Sequence, residues 1–115
     1  MRLSVVLSKI VCGASLGIMV VTGASANDDT CMQLMYHHGL ATSAQLNCRY
    51  EYYNQNVINE AGMCMSKAKD FGADDAMESA LRAGLSDFQY QFDEVEDKQA
   101  ICTAFLNEFN DFVSN

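Results

Sequence analysis

From Leu46 onward, apolar or half-apolar side chains return at Tyr50, Tyr53, Val57, Ala61, Cys64 and Ala68, always after three or four residues. That spacing lays one face of an α-helix against a core, and no period-two alternation competes with it. Proline, which would interrupt such a run, is absent from the whole chain. The pattern commits the chain to helices. What remains is how many there are and how they join.

The stripe predicts a long helix with Ser43 as its N-cap and Phe71-Gly72 at its end, where Lys67 and Lys69 sit near the last carbonyls. Before it, Asp28-Asp29-Thr30 supplies caps and first-turn acids for a short helix carrying Cys31, Leu34 and Met35. That helix is expected to stop at His38, with Gly39 in the left-handed position that follows a C-terminus. After it, Asp74-Asp75 opens a third helix through Met77, Ala80 and Leu81, open to a break at Gly84. The run Ser86 to Gln89 has the form of a capping box there. A last helix runs from about Asp97 to Val113, with Ile101, Phe105, Phe109 and Phe112 on one face. The expected fold is all-α, a small bundle of about four helices stapled by two disulfides.

Residues 1–26 have the form of a cleaved secretory signal peptide. Arg2 and Lys9 give a positive start, Ile10 to Val21 form the apolar stretch, and Ala24-Ser25-Ala26 completes an A-x-A cleavage site. Asn27 is then the first residue of a single domain covering 27–115, located in the periplasm or secreted. Cys12 leaves with the leader, and Cys31, Cys48, Cys64 and Cys102 remain. An even number of cysteines in a short exported chain reads as two disulfides, and no C-x-x-C spacing suggests a zinc ribbon or redox motif. A hairpin turning at Gly39-Leu40 would bring Cys31 level with Cys48, each about 12 Å from the turn at ~1.5 Å of rise per residue. The expected bridges are therefore Cys31–Cys48 and, by elimination, Cys64–Cys102.

All 15 acidic residues fall within 27–115, against five cations (Arg49, Lys67, Lys69, Arg82 and Lys98), a formal charge of five less fifteen, or −10. Such a balance opposes binding to nucleic acid and to anionic membrane surfaces. It suits a protein partner of basic character. Asp93, Glu94, Glu96 and Asp97 form the densest acidic segment, and with Tyr52 they are the candidate partner-binding residues.

Catalytic constellations are missing from the sequence: no nucleophile is paired with a base, and no phosphate-binding glycine loop or calcium-loop spacing occurs. The one stretch with ligand chemistry is Met32, Met35, His37 and His38, since thioethers and imidazoles suit copper. Helix-end placement explains the histidines without a metal, and adjacent histidines on a helix point about 100° apart. No cofactor is therefore expected. The leading expectation is a small exported non-enzymatic binding protein, an inhibitor or immunity-type partner of a basic protein in the cell envelope. A periplasmic carrier of copper or another metal and a structural accessory of the envelope are the alternatives.

Overall fold

A computed structural model describes residues 26–115, with side-chain surroundings from Asp29 onward. The expected leader and cleavage site rest largely on residues 1–25, which lie outside the described residues. Four helices make up most of the domain: α1 (Ala26–Cys48), α2 (Gln55–Asp70), α3 (Asp74–Glu94) and α4 (Lys98–Glu108). Two short strands, β1 (Tyr52–Tyr53) and β2 (Val113–Ser114), pair antiparallel with Tyr52 opposite Ser114 and Tyr53 opposite Val113. The all-α bundle and its two disulfides are as the sequence implies. The joints differ.

The first difference is at Gly39. The chain does not turn there; α1 runs on through it for 23 residues in all. Gly84 does not break α3 either. The two glycines face each other where the helices cross. A Cβ on Gly39 would lie 2.2 Å from the Leu81 carbonyl oxygen, and one on Gly84 would lie 2.1 Å from that of Tyr36. No side chain fits between these backbones. A glycine inside a helix costs about 1 kcal/mol relative to alanine, and here the close approach of two long helices offsets that cost.

Helices α1 and α3 run in the same direction through this crossing. Toward their starts Met35 and Met77 share one buried cluster; toward their ends Asn47 donates to Gln89 across 2.9 Å. The crossing divides the core. On one side α2 contributes Ala61 and Ala68 to Met35 and Met77. On the other, α4 contributes Ile101 and Phe105 to Leu40, Ala44 and Phe88, with Phe109 and Val113 just beyond its end. Phe88 and Phe105 are completely buried, and Phe109 stacks on Phe105 at 4.4 Å between ring centres.

The second difference is at Ser43, which is buried in the middle of α1 rather than capping a helix. The long stripe crosses a break. Arg49 takes a left-handed φ of 59°, and its N–H donates to the Gln45 carbonyl at 2.9 Å, which closes α1. A new helix starts at Asn54, whose side-chain oxygen accepts from the Asn56 N–H at 2.9 Å. Tyr50 and Tyr53 keep their inward phase across the connection, so the apolar rhythm survives although the helix does not. Its first member does not follow: Leu46 is 72% exposed.

A continuous α1 also settles the disulfides. Seventeen residues separate Cys31 from Cys48, about 25 Å along one helix, far beyond a disulfide's reach. The expected pairing is therefore incorrect. Cys31 is bonded to Cys64 and Cys48 to Cys102, with Cα separations of 5.6 and 5.7 Å. One bridge ties the start of α1 to α2, and the other ties its end to α4. Both bonds belong to a non-reducing compartment. Among the described residues no helix is long and apolar enough to cross a membrane.

Candidate functional site

The connection from α1 to α2 places β1 against the side of α1, and a groove of about 340 Å³ opens there. His38, Thr42, Gln45 and Leu46 of α1 form one wall, and Tyr53 and Ile58 form the other. The alternation i, i+4, i+7, i+8 puts the four α1 residues on one helix face. Leu46 and Ile58 stand at the rim, 72% and 42% exposed. Inside, the Gln45 side-chain N–H donates to the Tyr50 carbonyl at 2.6 Å, while its side-chain oxygen is buried without a hydrogen-bond partner. The groove therefore offers apolar contact at its mouth, above a glutamine already tied to the Tyr50 carbonyl.

Tyr53 forms the far wall and is held from several sides. Its backbone pairs with Val113, its hydroxyl lies 2.6 Å from His38 Nδ1, and its ring meets the His38 ring edge-on at 5.6 Å. Burial pushes the Tyr53 phenol up to about 12, and a hydrogen bond with Thr42 opposes part of that rise. At neutral pH the phenol keeps its proton. Burial also lowers the pKa of His38 below the usual histidine value, so the neutral ring is favoured beside it.

The histidine pair is thus divided between two tasks. His37 points to the C-terminal segment, packing edge-on against Phe109 at 5.4 Å and Phe112 at 6.3 Å. Its Nε2 is buried with no hydrogen-bond partner, and burial lowers its pKa too. Neither histidine ends a helix. Of the other two residues in the metal alternative, Met35 is buried in the cluster with Ala61, Ala68 and Met77, and Met32 is exposed. Met35, His37 and His38 are engaged by different neighbours. Among the described residues, no group of three or more His, Cys, Asp or Glu side chains is arranged to hold a metal ion.

The acidic segment lies at the α3–α4 junction and does part of its work on the backbone. Asp97 caps α4, its carboxylate accepting from the Ala100 N–H at 3.0 Å. Asp93 accepts from Gln89 at 3.0 Å. Glu94 and Glu96 are exposed. Lys98 folds back over the Phe92 ring at 4.8 Å and donates to the carbonyls of Phe92 and Val95. Tyr52 lies elsewhere, exposed on β1. The sequence candidates therefore do not form one cluster. The groove residues Thr42, Gln45 and Ile58 were not legible as a site. Ile58 carries the one available signal, an isoleucine beside Val57 that falls off the core stripe.

Comparison with protein families, with curated proteins and with solved structures finds no significant match.

Proposed function

We propose that this chain is a small exported binding protein, non-enzymatic, which holds a basic protein partner through the groove between α1 and β1–α2. The observation that carries this reading is the groove's composition. Leu46 and Ile58 stand exposed over a recess whose buried Gln45 oxygen has no donor. A concave, mainly apolar recess with few polar groups is the usual form of a recognition site. An inserted apolar side chain would cover Leu46 and Ile58. Net charge supplies the partner's sign: −10 over residues 27–115 attracts a cationic surface and speeds its encounter.

Export is part of the same proposal. The A-x-A site before Asn27 and the two disulfides both suit the periplasm or the extracellular medium. The test is affinity capture from an envelope extract with wild-type protein and with Leu46→Asp, at low and at high salt. A basic protein retained by wild type at low salt, released by high salt and lost with Leu46→Asp supports the reading. A partner retained equally by Leu46→Asp, or one indifferent to salt, refutes it.

A further inference from the structure

On the other side of Tyr53 lies a second recess of about 300 Å³, whose lining includes Tyr52, Asn54, Asn110, Asp111 and Phe112. Its floor is fixed by Asn54. The Asn54 backbone N–H donates to the Phe112 carbonyl at 2.8 Å, and its side-chain N–H donates to the Asp111 carbonyl at 2.8 Å. The Asn54 side-chain oxygen is used as the cap of α2. The backbone around Asp111 is thus anchored, yet its carboxylate makes no hydrogen bond or ion pair among the described residues. Tyr52 stands 64% exposed in the same lining, its hydroxyl likewise unengaged.

We infer that this recess receives a lysine or arginine side chain of the partner, adjoining the apolar side chain held between Leu46 and Ile58. The inference rests on the reading that the partner is a basic protein, and it names where one of its charges goes. A recess lined by both an exposed tyrosine and an aspartate without an ion-pair partner suits a cation carried on an aliphatic stem. The stem lies along the Tyr52 ring, and the charge meets both the ring's negative face and Asp111. One carboxylate matches one positive charge, whereas a divalent metal would call for more anionic ligands. Among the described residues, no cation lines the recess. Arg82 is 3.3 Å from Glu78, Lys98 is bound to the end of α3, Lys67 and Lys69 sit in the last turn of α2, and Arg49 is exposed at the turn after α1, outside the lining.

Amide NMR of the full chain tests this with three probes: N-acetyl-arginine amide, its neutral isostere N-acetyl-citrulline amide, and N-acetyl-leucine amide. The arginine probe is expected to shift the signals of Tyr52, Asn110 and Asp111, and to bind about fivefold more tightly than the citrulline probe. Asp111→Asn should abolish that preference, and Tyr52→Leu should weaken the arginine probe about threefold. Equal binding of the arginine and citrulline probes overturns the inference. So do arginine-induced shifts confined to Asp93, Glu94, Glu96 and Asp97, or spread evenly over the acidic surface. The leucine probe reports separately on Leu46 and Ile58. Its failure there, with the arginine response intact, refutes the groove reading and leaves the recess standing.

Discussion

His37 should make the domain lose stability in mild acid, and its surroundings set the sign and the ceiling of the effect. In the folded chain the ring lies against Phe109 and Phe112, with Nε2 buried and unpartnered. Burial is the one cause that shifts its pKa, and it shifts it down. Unfolding returns the ring to water, where its pKa is the ordinary 6.5 or so. Above that value both states are neutral and pH has no effect through this group. As the pH falls below it, the unfolded chain takes up a proton that the native chain resists, and stability falls. The loss ends once the pH is beneath the lowered native value. Between the two pKa values the slope cannot exceed about 1.4 kcal/mol per pH unit for one histidine, and solvent at the ring's exposed edge keeps it under that ceiling. Urea unfolding followed by far-UV circular dichroism at pH 7.5, 6.5, 5.5 and 4.5 measures the slope. His37→Phe puts an aromatic ring without a titrating nitrogen in the same place. It should remove much of the loss between pH 6.5 and 4.5 while leaving stability at pH 7.5 equal or higher. Burial lowers the His38 pKa as well, so its contribution has the same sign, eased because Tyr53 can accept from a protonated Nδ1 at the 2.6 Å contact already present. His38→Gln should therefore remove a smaller part of the slope than His37→Phe. A flat wild-type profile, or the same slope in His37→Phe, would refute the reasoning.

Three further outcomes follow from the packing. Gly39→Ala and Gly84→Ala should each cost about 3 kcal/mol, because the added methyl meets a backbone oxygen at 2.2 or 2.1 Å. Gly62→Ala, with nothing within 4 Å of its Cβ, should stabilise by up to about 1 kcal/mol, and thermal unfolding separates the three. Non-reducing peptide mapping should recover Cys31 linked to Cys64 and Cys48 linked to Cys102. Replacing either pair by alanine should cost about 4 kcal/mol for loops of 33 and 54 residues; recovery of a Cys31–Cys48 peptide would mean that α1 is broken at Gly39. At the α3–α4 junction, Asp97→Ala should cost about 1 kcal/mol through the lost cap. Glu94→Gln with Glu96→Gln should leave stability unchanged and slow association with a basic partner at low salt.

Periodicity made the helices legible because it reports which residues face a core, and that information survives errors in the joints. The start of the last helix at Asp97 and the end of the second at Phe71-Gly72 were readable for a related reason. Each is marked by local chemistry, a capping carboxylate in one case and a left-handed glycine with φ of 70° in the other. The misread joints share a different cause. Glycine has two uses, turning the chain and letting backbones touch, and a single sequence does not distinguish them. In the sequence Gly39 suggests a turn and Gly84 a break, yet each is explained by the other, 45 residues away. The actual turn fell at Arg49, a residue that seldom adopts a left-handed φ. The disulfide error was inherited from Gly39, since level placement of Cys31 and Cys48 required a hairpin there.

The site was less legible than the fold, and for a reason tied to the same joint. A groove between α1 and β1–α2 exists because α1 continues past Gly39 to carry Thr42, Gln45 and Leu46 alongside Tyr53 and Ile58. With the chain turning at Gly39, Leu46 belongs to the core stripe of the next helix and no wall is left to line. Once α1 is continuous, the face bearing His38, Thr42 and Gln45 must meet whatever follows Cys48, and the chain meets it with Tyr53. The exposed Leu46 is then a consequence of geometry, left over where the core stripe and the groove wall part company. A leucine kept in water at the mouth of a recess is the feature on which the binding proposal turns. Leu46→Asp is for that reason the substitution expected to remove partner binding while sparing the fold.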